Sequence, residues 1–316
     1  MPTGTPREAF EEFIHECENV ARLRPETVKG YRAAFDLFLK LAPDANMENI
    51  QDKKYVTNFF TAILTRSRRV GKDKFVQGVK KSTTATYHSK LRSFFRWLKQ
   101  NKRIEQNPFE TIKAPNVEYL DRKFLNKEDV HNLFHACGFK IQWDGDFVRR
   151  RNLAILAVLL YCGLRKGELL ALEVRDFDFE RRQLTVRGET SKSKYTRIIP
   201  INDEAFITVQ DYLLLRRARD IDTRAMWVSQ EEDRSLSKDG LKHTIAKLNV
   251  ESGVKFHVHQ LRHTFATNLL KNGTNLAVIQ QLMGHKDIRM TVKYVRAFPA
   301  DEMRNDVNGI TFDGLL

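Results

Sequence analysis

The sequence is poor in cysteine, and the three it has, Cys17, Cys137 and Cys162, stand far apart. An odd and scattered set argues against a disulfide framework and for a reducing compartment. Long apolar runs are also missing: the longest, 153–164, falls short of the roughly 20 residues a membrane helix needs. The N-terminus, MPTGTPREAFEEF, has neither a basic n-region nor an apolar h-region, so no signal peptide is visible and a soluble, cytoplasmic protein is expected. There is no internal repeat and no low-complexity tract. Metal-ligand patterns are thin as well. His257, His259 and His263 could offer a ligand pair, but no cysteine or carboxylate cluster accompanies them, so no metal is expected.

What the chain does have is positive charge, unevenly placed. Its 54 Lys+Arg against 40 Asp+Glu leave a formal net charge of +14. Residues 1–50 hold 6 basic and 9 acidic side chains, residues 51–113 hold 16 and 4, and residues 114–316 hold 32 and 27. Most of the excess therefore falls within 51–113. Such a concentrated surface favours a polyanion, by counterion release and long-range steering, over a merely soluble basic exterior. The length suits about two domains at roughly 150 residues each, and 41% hydrophobic residues suffice for their cores.

The expected fold is mainly α, with a small β-hairpin in the larger domain. Residues 1–113 read as a helical bundle. Thr5-Pro6 opens a first helix, with Phe10, Phe13, Ile14 and Cys17 at helical spacing. A second helix covers 26–41 and a third 52–66. Ser82-Thr83 is expected to cap a long fourth helix that ends at Asn107-Pro108. Its Tyr87, Leu91, Phe94, Phe95 and Leu98 form an apolar stripe, while Lys90, Arg92, Arg96 and Lys99 cover the remaining surface and are candidate DNA contacts. A linker follows at 114–124, marked by a proline and no helical period. The domain at 125–298 starts with a helix capped by Asn126 and has an apolar central helix at 149–162, broken by Gly163. Runs at 183–187 and 196–200 flank the polar segment GETSKSKY, which suggests a hairpin. Further helices are expected at about 202–218, 236–248, 259–271, 274–283 and 286–296. The tail 299–316, with Ile310, Phe312, Leu315 and Leu316, is a candidate docking segment for a neighbouring subunit.

One group of residues suggests chemistry. Tyr294 stands nine positions after His285. A tyrosine hydroxyl can be a covalent nucleophile, but its ordinary pKa near 10 makes it a poor one without help. Cleaving a phosphodiester through such an intermediate also needs a proton for the leaving oxygen and positive donors for the equatorial oxygens. Arginine suits the second task because its planar fork binds two phosphate oxygens and stays charged. Arg165 opens a short helix after Gly163. Arg262 follows His259 by three residues, which places both on one helix face. Lys192, near the hairpin tip, could donate the proton. Singly, each of these has an ordinary reading as a packed tyrosine, a capping arginine or a solvated turn lysine.

Together they meet a family. The segments GLRKGEL (163–169), HQLRHTFATNLL (259–270) and LMGHKDIRMTVKY (282–294) resemble the signature boxes of the tyrosine recombinases of the phage-integrase type. The basic helical N-terminal third resembles that family's SAM-like core-binding domain, so the likeness spans nearly the whole chain. The resemblance implies Arg165, Lys192, His259, Arg262, His285 and Tyr294 as catalytic residues, with Lys194 the alternative to Lys192. It implies Glu168 as an acidic buttress of the first arginine. Met290-Thr291 stands where the family often has Thr-Thr. Little sequence precedes the core-binding region, which points to the compact, Xer-like type without an arm-binding domain.

The implied activity is site-specific DNA recombination. Tyr294 attacks the scissile phosphate to give a 3′-phosphotyrosine link and a free 5′ hydroxyl, stabilised by Arg165, Arg262 and His285, with Lys192 as general acid. His259 orients or deprotonates. Neither ATP nor metal is implied, because the link stores the bond energy. The implied partners are double-stranded DNA with paired sites and three further copies of the chain, a homotetramer on synapsed nucleoid DNA. Two rivals share many of these features: a type IB topoisomerase, which acts as a monomer on one duplex, and a non-catalytic DNA-binding regulator. The DNA sequence read by the protein is not legible, nor is the choice among integration, excision, resolution and inversion.

Overall fold

The computed structural model describes residues 4–71, 74–117, 124–191, 193–229 and 233–295. They fall into two compact units, Met1–Tyr119 and Leu120–Leu316. Among the described residues, no helix is long and apolar enough to cross a membrane.

Among its described residues the first unit has the α-helices α1 (Pro6–His15), α2 (Pro25–Leu41), α3 (Lys53–Thr65) and α4 (Lys81–Gln100). Local signals set two of the starts. Thr5 caps α1 through a reciprocal pair with Glu8, and the Asp52 carboxylate accepts from Lys54 N–H at 2.7 Å to cap α3. The core is aromatic. Phe10 stacks on Phe35 at 3.9 Å between ring centres, and Phe94 meets both edge-on at 5.2 Å. Phe94, Phe95 and Trp97 are all buried.

Three expectations change here. The cap of α4 is Lys80, with no side-chain bond, so Ser82 and Thr83 lie inside the helix. Thr84 and Thr86 turn their hydroxyls back onto Lys80 O and Ser82 O, which shows how short polar side chains can be absorbed within a first turn. The helix also stops at Gln100, and Asn107 instead caps a short 3-10 turn at Pro108–Glu110. Finally, β1 (Ser67–Val70) and β2 (Lys74–Gln77) pair as an antiparallel hairpin before α4. Its residues are too polar to show alternation, so only the pairing itself defines them as strands.

The second unit builds on α6 (Asp146–Tyr161), whose side chains are buried on nearly every side. Around it stand α5 (Lys127–His135), α8 (Asp203–Ala218), α9 (Lys238–Ser252) and α10 (Val258–Lys271). Asn126 and Asp129 form a reciprocal cap on α5. A three-stranded antiparallel sheet joins β3 (Phe177–Asp178), β4 (Gln183–Val186) and β5 (Arg197–Pro200), with Leu184 opposite Ile199. The short β3 was not expected. Three short helices complete the unit: α7 (Lys166–Leu170), α11 (Leu276–Met283) and α12 (Arg289–Val295).

Candidate active site

The site begins where α6 ends. Gly163 takes a left-handed φ of +61°, and a Cβ there would lie 2.2 Å from Phe265 Cδ1. Only glycine fits both constraints, and the turn it makes delivers Arg165 to the start of α7. Gly163→Ala is expected to cost about 3 kcal/mol, combining left-handed strain with overpacking. A urea midpoint equal to wild type would show that Phe265 yields freely.

Glu168 is the hub of the charges. At 2% exposure it accepts from Arg165 Nη1 at 2.8 Å and from Arg165 N–H at 3.0 Å. From β5, Arg197 donates Nη2 at 2.7 Å and Nη1 at 3.3 Å, and Arg262 stands 3.9 Å away. Burial opposes ionisation, but the bonds and charges of Arg197, then of Arg165, outweigh it and hold the carboxyl at about 2. Three guanidiniums thus share one carboxylate.

Arg262, on α10, is fully buried. Its Nη1 donates to Gly163 O at 2.6 Å, while Nη2 donates to Met283 O and faces His285 Nε2 at 3.1 Å. One side chain therefore ties the end of α6, the end of α11 and the Gly284-His285 turn together. Its Nε is buried without a hydrogen-bond partner among the described residues. Desolvation, then repulsion from Arg165, pulls its pKa down to about 9.

Gly284 ends α11 at φ +60°, and a Cβ there would come 2.9 Å from Arg197 Nη1. His285 follows, buried, with Nδ1 2.9 Å from Thr291 Oγ1. Desolvation, then the charge of Arg262, lowers its pKa to about 3, so the ring is neutral at physiological pH. Tyr294, 8% exposed, packs with Phe265, Ala266, Ile279 and Met283. Its ring lies 5.2 Å from that of His263 and 6.2 Å from that of His285, parallel to the latter within 4°.

The structure thus brings Arg165, Glu168, Arg262, His285 and Tyr294 to one locus. His259 is exposed on α10, with its ring edge-on to His263 at 4.7 Å. Lys192 lies outside the described residues. Lys194, the alternative, is exposed at φ +60°. A cavity of about 290 Å³ opens between the hairpin and α11, lined in part by Ser193, Tyr195, Arg197, Gly284 and His285. No group of three or more metal-ligating side chains converges among the described residues. On α4, Arg92 and Arg96 are exposed on one face. Lys99 donates to Glu105 O, and Lys90 lies against Gly30 of α2.

Sequence reasoning missed Arg197, although a signal was present. In β5 the inward positions are Arg197 and Ile199, and Arg197 Nε also donates to Leu282 O at 2.8 Å. A charged residue on the inward register of a strand must find a buried counter-charge, and Glu168 was already in view.

The chain matches the phage integrase family over residues 123–300 and the phage integrase N-terminal SAM-like domain over residues 10–102. Tyrosine recombinase XerC of Bacillus pumilus (strain SAFR-032) is 28% identical over 290 residues, covering 90% of this chain and 89% of that protein. Among solved structures, a XerH site-specific recombinase bound to a palindromic difH substrate, a post-cleavage complex, superposes with a TM-score of 0.72 at 18% identity. It covers 95% of this chain and 83% of that one. The Tn1549 transposon integrase in complex with a circular intermediate DNA gives 0.72 at 19% identity, covering 96% and 98%. At those identities the two structures show a shared fold.

Proposed function

The chain belongs to the phage integrase family, the tyrosine recombinases that cleave and rejoin DNA, and on that premise we propose that Tyr294 is its nucleophile. The observation that carries this reading is an imbalance of charge beside that tyrosine. Among the described residues, Arg165, Arg197 and Arg262 meet one carboxylate, Glu168, and the Arg262 Nε has no hydrogen-bond partner. A phosphodiester supplies the missing anion, and its equatorial oxygens gather charge where the guanidiniums stand.

In this mechanism the Tyr294 hydroxyl gives its proton to His259 as its oxygen bonds to phosphorus, and the 5′ oxygen departs with a proton from Lys192. The product is a 3′-phosphotyrosine and a 5′ hydroxyl. One phosphoester replaces another, so the bond energy is retained without ATP, and a partner strand's 5′ hydroxyl reverses the step. Arg165 and the exposed His259 line the approach, and His285 holds Arg262 through Nε2. The first unit contributes DNA contacts through Arg92 and Arg96, and the tail 299–316, outside the described residues, docks on a neighbouring copy. Exchange needs two paired sites, hence four copies acting on nucleoid DNA in the cytoplasm. Recombinase relatives on all sides favour neither the topoisomerase nor the regulator reading.

The test is direct. Wild-type protein on fragmented genomic DNA of its source should leave covalent protein–DNA adducts, whose ends identify the site. Tyr294→Phe should leave none. On a nicked duplex built from that site, Lys192→Ala should cleave about 10²–10⁴-fold more slowly. A bridging 5′-thio leaving group, which departs without a proton, should restore it. Adduct formation by Tyr294→Phe would sink the assignment.

A further inference from the structure

Among the described side chains of α12, Thr291 and Tyr294 are the buried ones, at 0% and 8% exposure. Three residues apart, they share one helix face. Tyr294 enters an apolar cluster. Thr291 instead meets an imidazole, with Oγ1 2.9 Å from His285 Nδ1. The backbone of His285 is held on both sides: its N–H donates to Gln280 O at 3.1 Å, and its O accepts from Gln280 Nε2 at 3.1 Å. The bond to Thr291 therefore joins a ring with a fixed backbone to the helix that carries Tyr294.

The donor inventory fixes the direction of that bond. A guanidinium only donates, so His285 Nε2, 3.1 Å from Arg262 Nη2, is an acceptor. The neutral ring then carries its one proton on Nδ1, and the Thr291 hydroxyl accepts it. The opposite tautomer would set the Nε2 proton against an Arg262 donor.

Building on the reading of the site above, we propose that Thr291 is a positioning residue for cleavage: its hydroxyl holds His285 in the tautomer that serves Arg262 and ties the helix of Tyr294 to that ring. The His285 and Tyr294 rings, parallel within 4°, are the alignment this bond maintains. Thr291→Val keeps the shape and leaves the Nδ1 proton buried without an acceptor. Thr291→Ser keeps the hydroxyl.

On the nicked duplex, Thr291→Val should cleave about ten- to a hundredfold more slowly at saturating DNA, the rate equivalent of one unsatisfied buried donor. Its affinity for the duplex should be unchanged, and Thr291→Ser should cleave within about threefold of wild type. In a His285→Phe background, Thr291→Val should cause no further loss, because its partner is gone. A loss of equal size in that background assigns Thr291 to packing alone and overturns the proposal, as does full speed in the single variant. Nitrogen NMR of labelled histidine separates this from the identity of the nucleophile. It should show the His285 proton on Nδ1 in wild type and in Tyr294→Phe alike, and a proton on Nε2 overturns the proposal. Wild-type protein that forms no adduct while showing the Nδ1 signal overturns the reading of the site instead.

Discussion

Glu168→Gln should lose about 3–5 kcal/mol of folding stability, and with it DNA cleavage, because breaking a buried ion pair strands the remaining charges. The substitution keeps shape and volume, so the effect isolates charge. Glu168 accepts from Arg197 at 2.7 Å and from Arg165 at 2.8 Å, with Arg262 at 3.9 Å. Glutamine presents one oxygen and an NH2 that would face a guanidinium donor head-on. Three cations then share a buried locus with no anion. Removing one cation instead is milder: Arg197→Met leaves the carboxylate paired with Arg165 and fills the space with apolar atoms. The double variant Glu168→Gln, Arg197→Met should lose less than the two single losses combined, since its second change relieves the charge stranded by the first. Urea unfolding of the four proteins gives the cycle. A Glu168→Gln protein with the wild-type midpoint and wild-type cleavage would show that the carboxylate does not organise the site.

The family resemblance was legible because its boxes are local. GLRKGEL, HQLRHTFATNLL and LMGHKDIRMTVKY each carry their residues within one turn-and-helix unit, so the sequence alone could bring forward Arg165, Arg262, His285 and Tyr294. Helix positions were legible for a similar reason: α1, α2, α3 and α8 carry strong apolar periods or caps. What the sequence hid was set by distant contacts. Arg197 matters because β5 turns it inward onto Glu168, 29 residues away in the chain. Thr291 passed as the matching half of a pair in which Met290 departs, and only the fold brings its hydroxyl to His285. The β1–β2 hairpin carries no hydrophobic alternation, and α4 begins one residue before the expected Ser82-Thr83 cap, with Lys80 as its N-cap and no side-chain bond. Local chemistry was readable; partners across the fold were not.

Acidification should weaken the fold from about pH 6.5 downward through His285, above the range in which Glu168 acts. The histidine's ordinary value of 6.5 falls to about 3 in the folded protein, chiefly through burial and then through the charge of Arg262. Between those values the unfolded chain binds a proton that the folded chain refuses. Stability therefore rises with pH across this window and is lost as pH falls through it. The contribution is fully present above 6.5, and by pH 4 the loss should reach about 3 kcal/mol, at about 1.4 kcal/mol per unit. Glu168 acts later and in the same direction: its carboxyl is held at about 2 against an ordinary 4.5, so its share disappears only below 4.5. The two windows overlap between about 3 and 4.5, so the stretch above 4.5 is the one that reports on His285 apart from Glu168. Urea midpoints taken between pH 7 and pH 5 should slope downward in wild type and flatten in His285→Phe, while both proteins fall below pH 4.5. Equal slopes in both between pH 7 and pH 5 would mean that His285 takes up its proton without cost. A neutral His285 also fixes the source of positive charge beside Tyr294: it comes from the guanidiniums gathered on Glu168, those of Arg165, Arg197 and Arg262. The imidazole's part is to keep Arg262 aimed, and that service ends when the ring is protonated and Nε2 can no longer accept.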